Sequence, residues 1–195
     1  MSEEFPGTLI DALRDVSLWA RTENIPLVVV GGVAASLLGR PRLTRDIDVL
    51  VSVPESGWGS LLQSGARFGL YPRIADPVEF ARRTRVLLFS HKSSAIDVDI
   101  ILGALPFEET AIANAAIRKI ADFEVNLPRV EDLLVMKAIA HRPRDLADIE
   151  GLLVAHAEVD VDSVRQWVRE FALATTMPEI LEDFDRTTSK VRHGR

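Results

Sequence analysis

Asp46-Ile47-Asp48-Val49-Leu50-Val51 alternates acid and aliphatic residues, and a period of two is the signature of a half-buried β-strand. Ile47, Val49 and Val51 take one face and enter a core. Asp46 and Asp48 share the other face, with side chains about 6–7 Å apart at the usual strand rise. Two such carboxylates repel and raise each other's pKa unless a cation sits between them. Upstream, Pro26 opens Leu27-Val28-Val29-Val30, an all-apolar run suited to a buried strand. Gly31-Gly32 ends that run, and a helix is expected from Val33 to Leu38. Glycines at a strand-to-helix turn let backbone N–H groups approach a triphosphate at the helix N-terminus. Downstream, Ile96 to Leu102 reads as a second acidic strand, with Asp97 and Asp99 on one common face.

Outward from these strands, the remaining pattern is mixed at first and helical later. Asp11 to Thr22 carries Leu13, Val16 and Ala20 at helical spacing, and Ser60 to Phe68 reads as a helix. Val86 to Phe89 forms a hairpin with the second acidic strand through His91-Lys92-Ser93-Ser94. Past Leu127-Pro128, helices are expected near 129–141, 143–156, 160–174 and 178–186. The 195 residues suffice for one generous domain or a domain with an appendage. The expected division is an α/β core over 1–126 and a helical region over 127–195 packed on it.

Composition narrows the function. With 47% hydrophobic and 27% charged residues, the chain has the makeup of a globular protein, not of a disordered tail or a fibrous repeat. No apolar run approaches the roughly 20 residues of a membrane span, so no membrane partner is expected. The start, Met1-Ser2-Glu3-Glu4, is acidic and lacks the basic opening of a secretory signal. The absence of cysteine removes disulfides and thiolate metal sites, which fits a cytoplasmic setting. A net charge of −6 argues against a protein that coats DNA or other nucleic acid non-specifically.

The paired acids suit a hard divalent ion such as Mg²⁺, which takes oxygen ligands and commonly uses one or two carboxylates plus substrate phosphates. A third carboxylate from a neighbouring strand would complete a two-metal site for phosphoryl or nucleotidyl transfer. Asp97 and Asp99 compete for that place. Asp99 is favoured because it lies deeper in the apolar run Val98-Asp99-Ile100-Ile101, where an unpaired acid is costlier. Other chemistries lack their residues. A dinucleotide fingerprint from Gly31 would need glycines where Val33 and Ser36 stand, and no Gly-Lys-Ser/Thr P-loop follows. His91, His141, His156 and His193 have no zinc-protease spacing, and no nucleophile elbow appears.

Val28-Val29-Val30-Gly31-Gly32, followed by Arg42-Leu43-Thr44-Arg45-Asp46-Ile47-Asp48-Val49, resembles the polymerase-beta-type nucleotidyltransferase superfamily over about residues 25–103. Val130-Glu131-Asp132-Leu133-Leu134, Lys137 and Arg142-Pro143-Arg144-Asp145-Leu146-Ala147-Asp148 are similar to the helical half of its abortive-infection (AbiEii-like) toxin branch. The resemblance implies an α+β fold: a small mixed β-sheet nucleotidyltransferase core flanked by helices, with a C-terminal helical bundle. It implies Asp46, Asp48 and Asp99 as catalytic acids and metal ligands, with Asp99 as general base. Gly31, Gly32, Thr44, Arg45, Lys137 and Asp148 would bind the nucleotide. The implied activity is Mg²⁺-dependent transfer of a nucleoside monophosphate from an NTP, ATP included, to a hydroxyl on an RNA end, a protein or a small molecule. A cognate antitoxin is the implied partner. The alternative is a non-catalytic nucleotide-binding or antitoxin-like module on the same fold.

Two further readings concern basic residues. Arg67, Arg73, Arg82, Arg83, Arg85 and Lys92 cluster between the acidic strands, and arginines of this kind bind phosphates; ordinary surface ion pairing accounts for them equally well. Lys137 continues the apolar stripe of Val130, Leu133 and Leu134. It either snorkels to water at the helix edge or delivers its charge to a triphosphate, with Asp145 and Asp148 orienting it.

Overall fold

The computed structural model describes residues 6–193; the acidic start Met1–Glu4 lies outside them. The chain runs α1 (Gly7–Thr22), β1 (Leu27–Val30), α2 (Gly31–Leu38), β2 (Asp46–Val51), α3 (Trp58–Gly65), β3 (Leu70–Pro72), α4 (Pro77–Thr84), β4 (Val86–His91) and β5 (Ile96–Leu102). It continues through α5 (Pro106–Ala113), β6 (Ala116–Ile120), β7 (Phe123–Leu127), α6 (Val130–Ala140), α7 (Pro143–Ala155), α8 (Val161–Thr175) and α9 (Glu179–His193). The fold is α+β, as expected. Among the described residues, no helix is long and apolar enough to cross a membrane. The chain divides into two compact units, Met1–Val33 with Arg42–Pro128, and Ala34–Pro41 with Arg129–Arg195.

In the first unit, five strands form a mixed sheet in the order β1-β2-β5-β4-β3. The β2–β5 pair is parallel, while β1–β2, β4–β5 and β3–β4 are antiparallel. The alternation read from sequence sorts the two faces. Ile47, Val49, Val98, Ile100, Leu87 and Phe89 are fully buried on the face covered by α1. The apolar stripe of α1, Leu9, Leu13, Val16 and Ala20, follows the three-and-four spacing that turns one helix side inward. Trp19 on α1 lies 6.3 Å from the Phe89 ring and donates its indole N–H to Ser64 Oγ at 2.9 Å. α1 is also tied to the β4–β5 hairpin. The buried His91 ring reaches Asp15 Oδ2 at 2.9 Å through Nε2 and Ser94 Oγ at 2.7 Å through Nδ1. A separate hairpin, β6–β7, presents Phe123, Val125 and Leu127 to the core.

In the second unit α6 packs against α7, α8 and α9. Its core holds Leu133, Leu134, Ala138, Ile149, Leu152, Val164, Val168, Ile180 and Phe184. Asp160 caps α8 by accepting from the Ser163 N–H at 3.0 Å, satisfying a donor that a helix start leaves open. Arg165 and Asp185 join α8 to α9 through a two-pronged ion pair at 2.6 and 2.7 Å.

Candidate active site

Parallel pairing of β2 with β5 sets Asp46 opposite Asp97 and Asp48 opposite Asp99. Residues directly opposite on neighbouring strands, about 4.8 Å apart, send their side chains to the same face. Four carboxylates therefore occupy one patch, on the side of the sheet away from α1. Asp46, Asp48, Asp97 and Asp99 are all half-buried. The Asp48–Asp99 row extends in both directions, to Val30 on β1 and to Leu88 on β4. Farther along the strands the same face is apolar: the buried Leu50 lies where α5 covers β2.

Gly31, the residue after Val30, opens α2 at a left-handed φ of +63°. A Cβ there would stand 1.8 Å from Asp48 Oδ2, so a side chain is excluded twice over, by conformation and by space. The Asp48 carboxylate thus rests against the bare start of α2. Gly32 leaves room for Thr44, whose Oγ1 would lie 2.6 Å from a Cβ. The buried Thr44 hydroxyl donates to Asp46 Oδ1 at 2.9 Å, which fixes how that acid faces. Arg45 is exposed. The two glycines lie within the first turn of the helix, two residues ahead of the start expected from sequence.

Arg73 supplies what the sequence did not show. Its N–H donates to Leu88 O at 2.9 Å, prolonging the β3–β4 pairing by one residue beyond Pro72. Arg73 thereby joins the end of the row Leu88–Asp99–Asp48. Its guanidinium reaches over Leu88, donates to Asp97 Oδ2 at 2.8 Å and to Asp99 Oδ1. Burial pushes the Asp99 carboxyl above the usual range, Arg73 pulls it back, and Asp48, Asp46 and Asp97 raise it further. The sequence signal for Arg73 was only membership of a basic cluster. Its neighbours in that cluster point elsewhere: Arg67 to Glu23, Arg82 to Glu55 and Glu79, and Arg85 to the carbonyls of Leu102 and Gly103.

Among the described residues, no group of three or more acids or histidines stands close enough to form a ready-made metal cage. Mg²⁺ does not need one, because it keeps waters and shares its ligands with substrate phosphates. The donors on this face are all carboxylate oxygens, the ligand type of a hard cation, and a positive side chain already sits among them. The donor chemistry of this face therefore suits a hard divalent cation.

Lys137, Asp145 and Asp148 belong to the second unit, where they form a buried cluster. Lys137 is 3% exposed and Asp145 0% exposed. Lys137 Nζ lies 3.1 Å from Asp145 Oδ1 and 2.8 Å from Asp148 Oδ2, so its ammonium does not snorkel to water. Asp145 also accepts from the Arg142 N–H at 3.2 Å and from Arg142 Nε at 2.5 Å, capping α7. Burial works against the Asp145 charge, but Arg142 and Lys137 together outweigh it and hold the carboxyl below its usual range.

Comparison with known proteins gives this geometry a family. The antibiotic-resistance factor ANT(2″)-Ia in solution is 16% identical, over 88% of this chain and 95% of that one, with a TM-score of 0.60. An antigenic nucleotidyltransferase-like protein from Paracoccidioides brasiliensis is 14% identical, over 90% and 91%, with a TM-score of 0.56. ANT(2″)-Ia in complex with adenylyl-2″-tobramycin is 19% identical, over 83% and 95%, with a TM-score of 0.55. At these identities the likeness is one of fold. No curated protein matches in sequence. The family described as "Nucleotidyl transferase AbiEii toxin, Type IV TA system" matches residues 11–191. The chain belongs to that family and is a nucleotidyltransferase.

Proposed function

We propose that the chain transfers a nucleoside monophosphate from an NTP to an acceptor hydroxyl with divalent-ion help, and that Asp46, Asp48 and Asp99 carry the reaction. The observation behind this reading is the β2–β5 register, which sets Asp48 beside Asp99, with Asp48 against the bare start of α2. Bound Mg²⁺, in one or two ions, would neutralise the triphosphate and draw charge from the reacting phosphorus. Asp46 and Asp48 would hold the ions, and the Thr44 hydroxyl, donating to Asp46 Oδ1, keeps that acid in orientation to do so. Gly31 and Gly32, with Arg45, take the phosphates. Asp99 orients the acceptor hydroxyl and receives its proton, a role suited to a carboxyl whose proton affinity burial has raised. The acceptor oxygen bonds to the α-phosphorus, the bond from that phosphorus to the bridging oxygen breaks, and pyrophosphate leaves.

The family's description supports a role as the toxin of a toxin–antitoxin pair, with a cognate antitoxin as partner; the cytoplasmic setting of this reading rests on the absence of cysteine. For the acceptor, an RNA end and a protein hydroxyl fit a toxin. The adenylylated tobramycin in a solved relative adds a small-molecule hydroxyl to the choices. The deciding experiment is an acceptor screen: Mg²⁺, each labelled NTP, and total RNA, protein or aminoglycosides in turn. Acceptor-dependent pyrophosphate release, lost in Asp48→Ala, is expected. Release that persists in Asp48→Ala sinks the assignment. A parallel comparison of Asp97→Asn with Asp99→Asn assigns the third acid; an inactive Asp97→Asn beside an active Asp99→Asn reverses it.

A further inference from the structure

We propose that Arg73 is the resident counter-cation of the acid face, holding Asp97 and Asp99 while no metal is bound and releasing Asp99 when a divalent ion enters. The inference rests on the reading of Asp46, Asp48 and Asp99 as metal ligands, and concerns how that site is kept before it is loaded.

Three features carry it. First, the row Arg73–Leu88–Asp99–Asp48 is set by backbone pairing, so all four side chains share one face. Two strand spacings, about 9.6 Å, separate Arg73 from Asp99, which only a long side chain laid over Leu88 can span. Second, the guanidinium bridges the two acids of β5, with one nitrogen on Asp97 Oδ2 at 2.8 Å and the other on Asp99 Oδ1. Four carboxylates packed on adjacent strands repel, and a cation among them offsets that repulsion. Third, Arg73 stands just past β3, an edge strand of three residues. Its side chain can therefore swing away without disturbing the sheet.

Arg73 holds Asp99 by Oδ1, so an ion binding that carboxylate meets the positive guanidinium beside it, and the two cations compete for the same acid. The competition is mild, since the Arg73 side chain is 27% exposed and Asp97 and Asp99 are 46% and 32% exposed. Pairs open to water to this degree are weak. Arg73 thus sets the free-ion concentration at which the site fills, and protects the stacked acids below it.

Mn²⁺ binding to the nucleotide-free protein, followed by the electron paramagnetic resonance of the free ion, tests this without reference to turnover. Arg73→Gln is expected to bind Mn²⁺ about three- to tenfold tighter than wild type at low salt, with the advantage shrinking as salt screens the native bridge. Its metal-free melting temperature should fall, and Mn²⁺ should raise it by more than in wild type. Arg73→Lys, which keeps the charge but loses the fork, should lie between the two, and serves alone if the glutamine variant does not fold. Asp48→Ala is the control. If Asp48→Ala loses Mn²⁺ while both Arg73 variants bind it no tighter than wild type, the competition does not exist. If Asp48→Ala binds Mn²⁺ as wild type does, the metal-site reading fails and this inference falls with it.

Discussion

Asp48 and Gly31 depend on one another, and two substitutions separate their contributions. Asp48→Ala removes one of several mutually repelling carboxylates, so the metal-free protein should be as stable as wild type or slightly more so. It should bind neither Mg²⁺ nor NTP. Thermal melts paired with nucleotide titration check both halves; lower stability with normal Mg·NTP binding contradicts the assignment. Gly31→Ala acts in the opposite direction. A residue with a Cβ at φ +63° costs about 1–2 kcal/mol, and the methyl would also displace the Asp48 carboxylate. Stability and Mn²⁺ affinity should therefore fall together. Lys137 invites a third test. The methionine in Lys137→Met leaves Asp148 buried without the ammonium that faces it at 2.8 Å. Breaking a buried pair from one side costs about 3–5 kcal/mol, so a denaturation midpoint well below wild type is expected. An unchanged midpoint would mean that Asp148 is satisfied by other groups.

At the scale of elements, the β4–β5 hairpin is anchored to α1 by the buried His91 between Asp15 and Ser94. His91→Phe keeps the bulk and removes both hydrogen bonds. It should cost about 1–2 kcal/mol and speed amide exchange across Lys92–Ala95, as read by hydrogen–deuterium exchange; unchanged protection there would show the anchor to be idle. The same elements show what a sequence discloses. The strands β1, β2 and β5 were legible at their observed bounds, because apolar runs and acid–aliphatic alternation are local signals. The helices after Pro128 were legible from their inward-facing apolar residues, but α9 runs to His193, past the expected end near 186. β3 was missed because it is three residues long and ends in Pro72 at a sheet edge. α4 was missed because Ala81 is its one buried residue, which leaves no stripe to read. β6 exposes four of its five residues, so alternation has nothing to act on. In the site, the acids announced themselves by period. Arg73 did not, since its meeting with Asp99 depends on the register of two intervening strand pairs, and register is a property of the sheet.

For the whole molecule, acid sensitivity should originate partly in the Arg142–Asp145–Lys137 cluster. Because the Asp145 carboxyl is held below its usual range, the folded state binds its proton less readily than the unfolded chain. The resulting stability is fully present above the ordinary carboxyl value of about 3.9 and is lost as pH falls through the folded value. Asp145→Asn should therefore be less stable than wild type at neutral pH, with the gap closing on acidification. Urea midpoints at a series of pH values measure it; a gap constant with pH assigns the loss to packing alone. The second unit also has a discontinuous sequence, taking in Ala34–Pro41 as well as Arg129–Arg195. His156 Nε2 meets Leu38 O at 2.6 Å, and a Cβ on Gly39 would stand 3.2 Å from the Leu152 nitrogen. An exchange of helical regions between related chains therefore cannot be made with a single junction at Pro128. A cassette of residues 129–195 would arrive without its octapeptide, and a working chimaera has to inherit both pieces from the same parent.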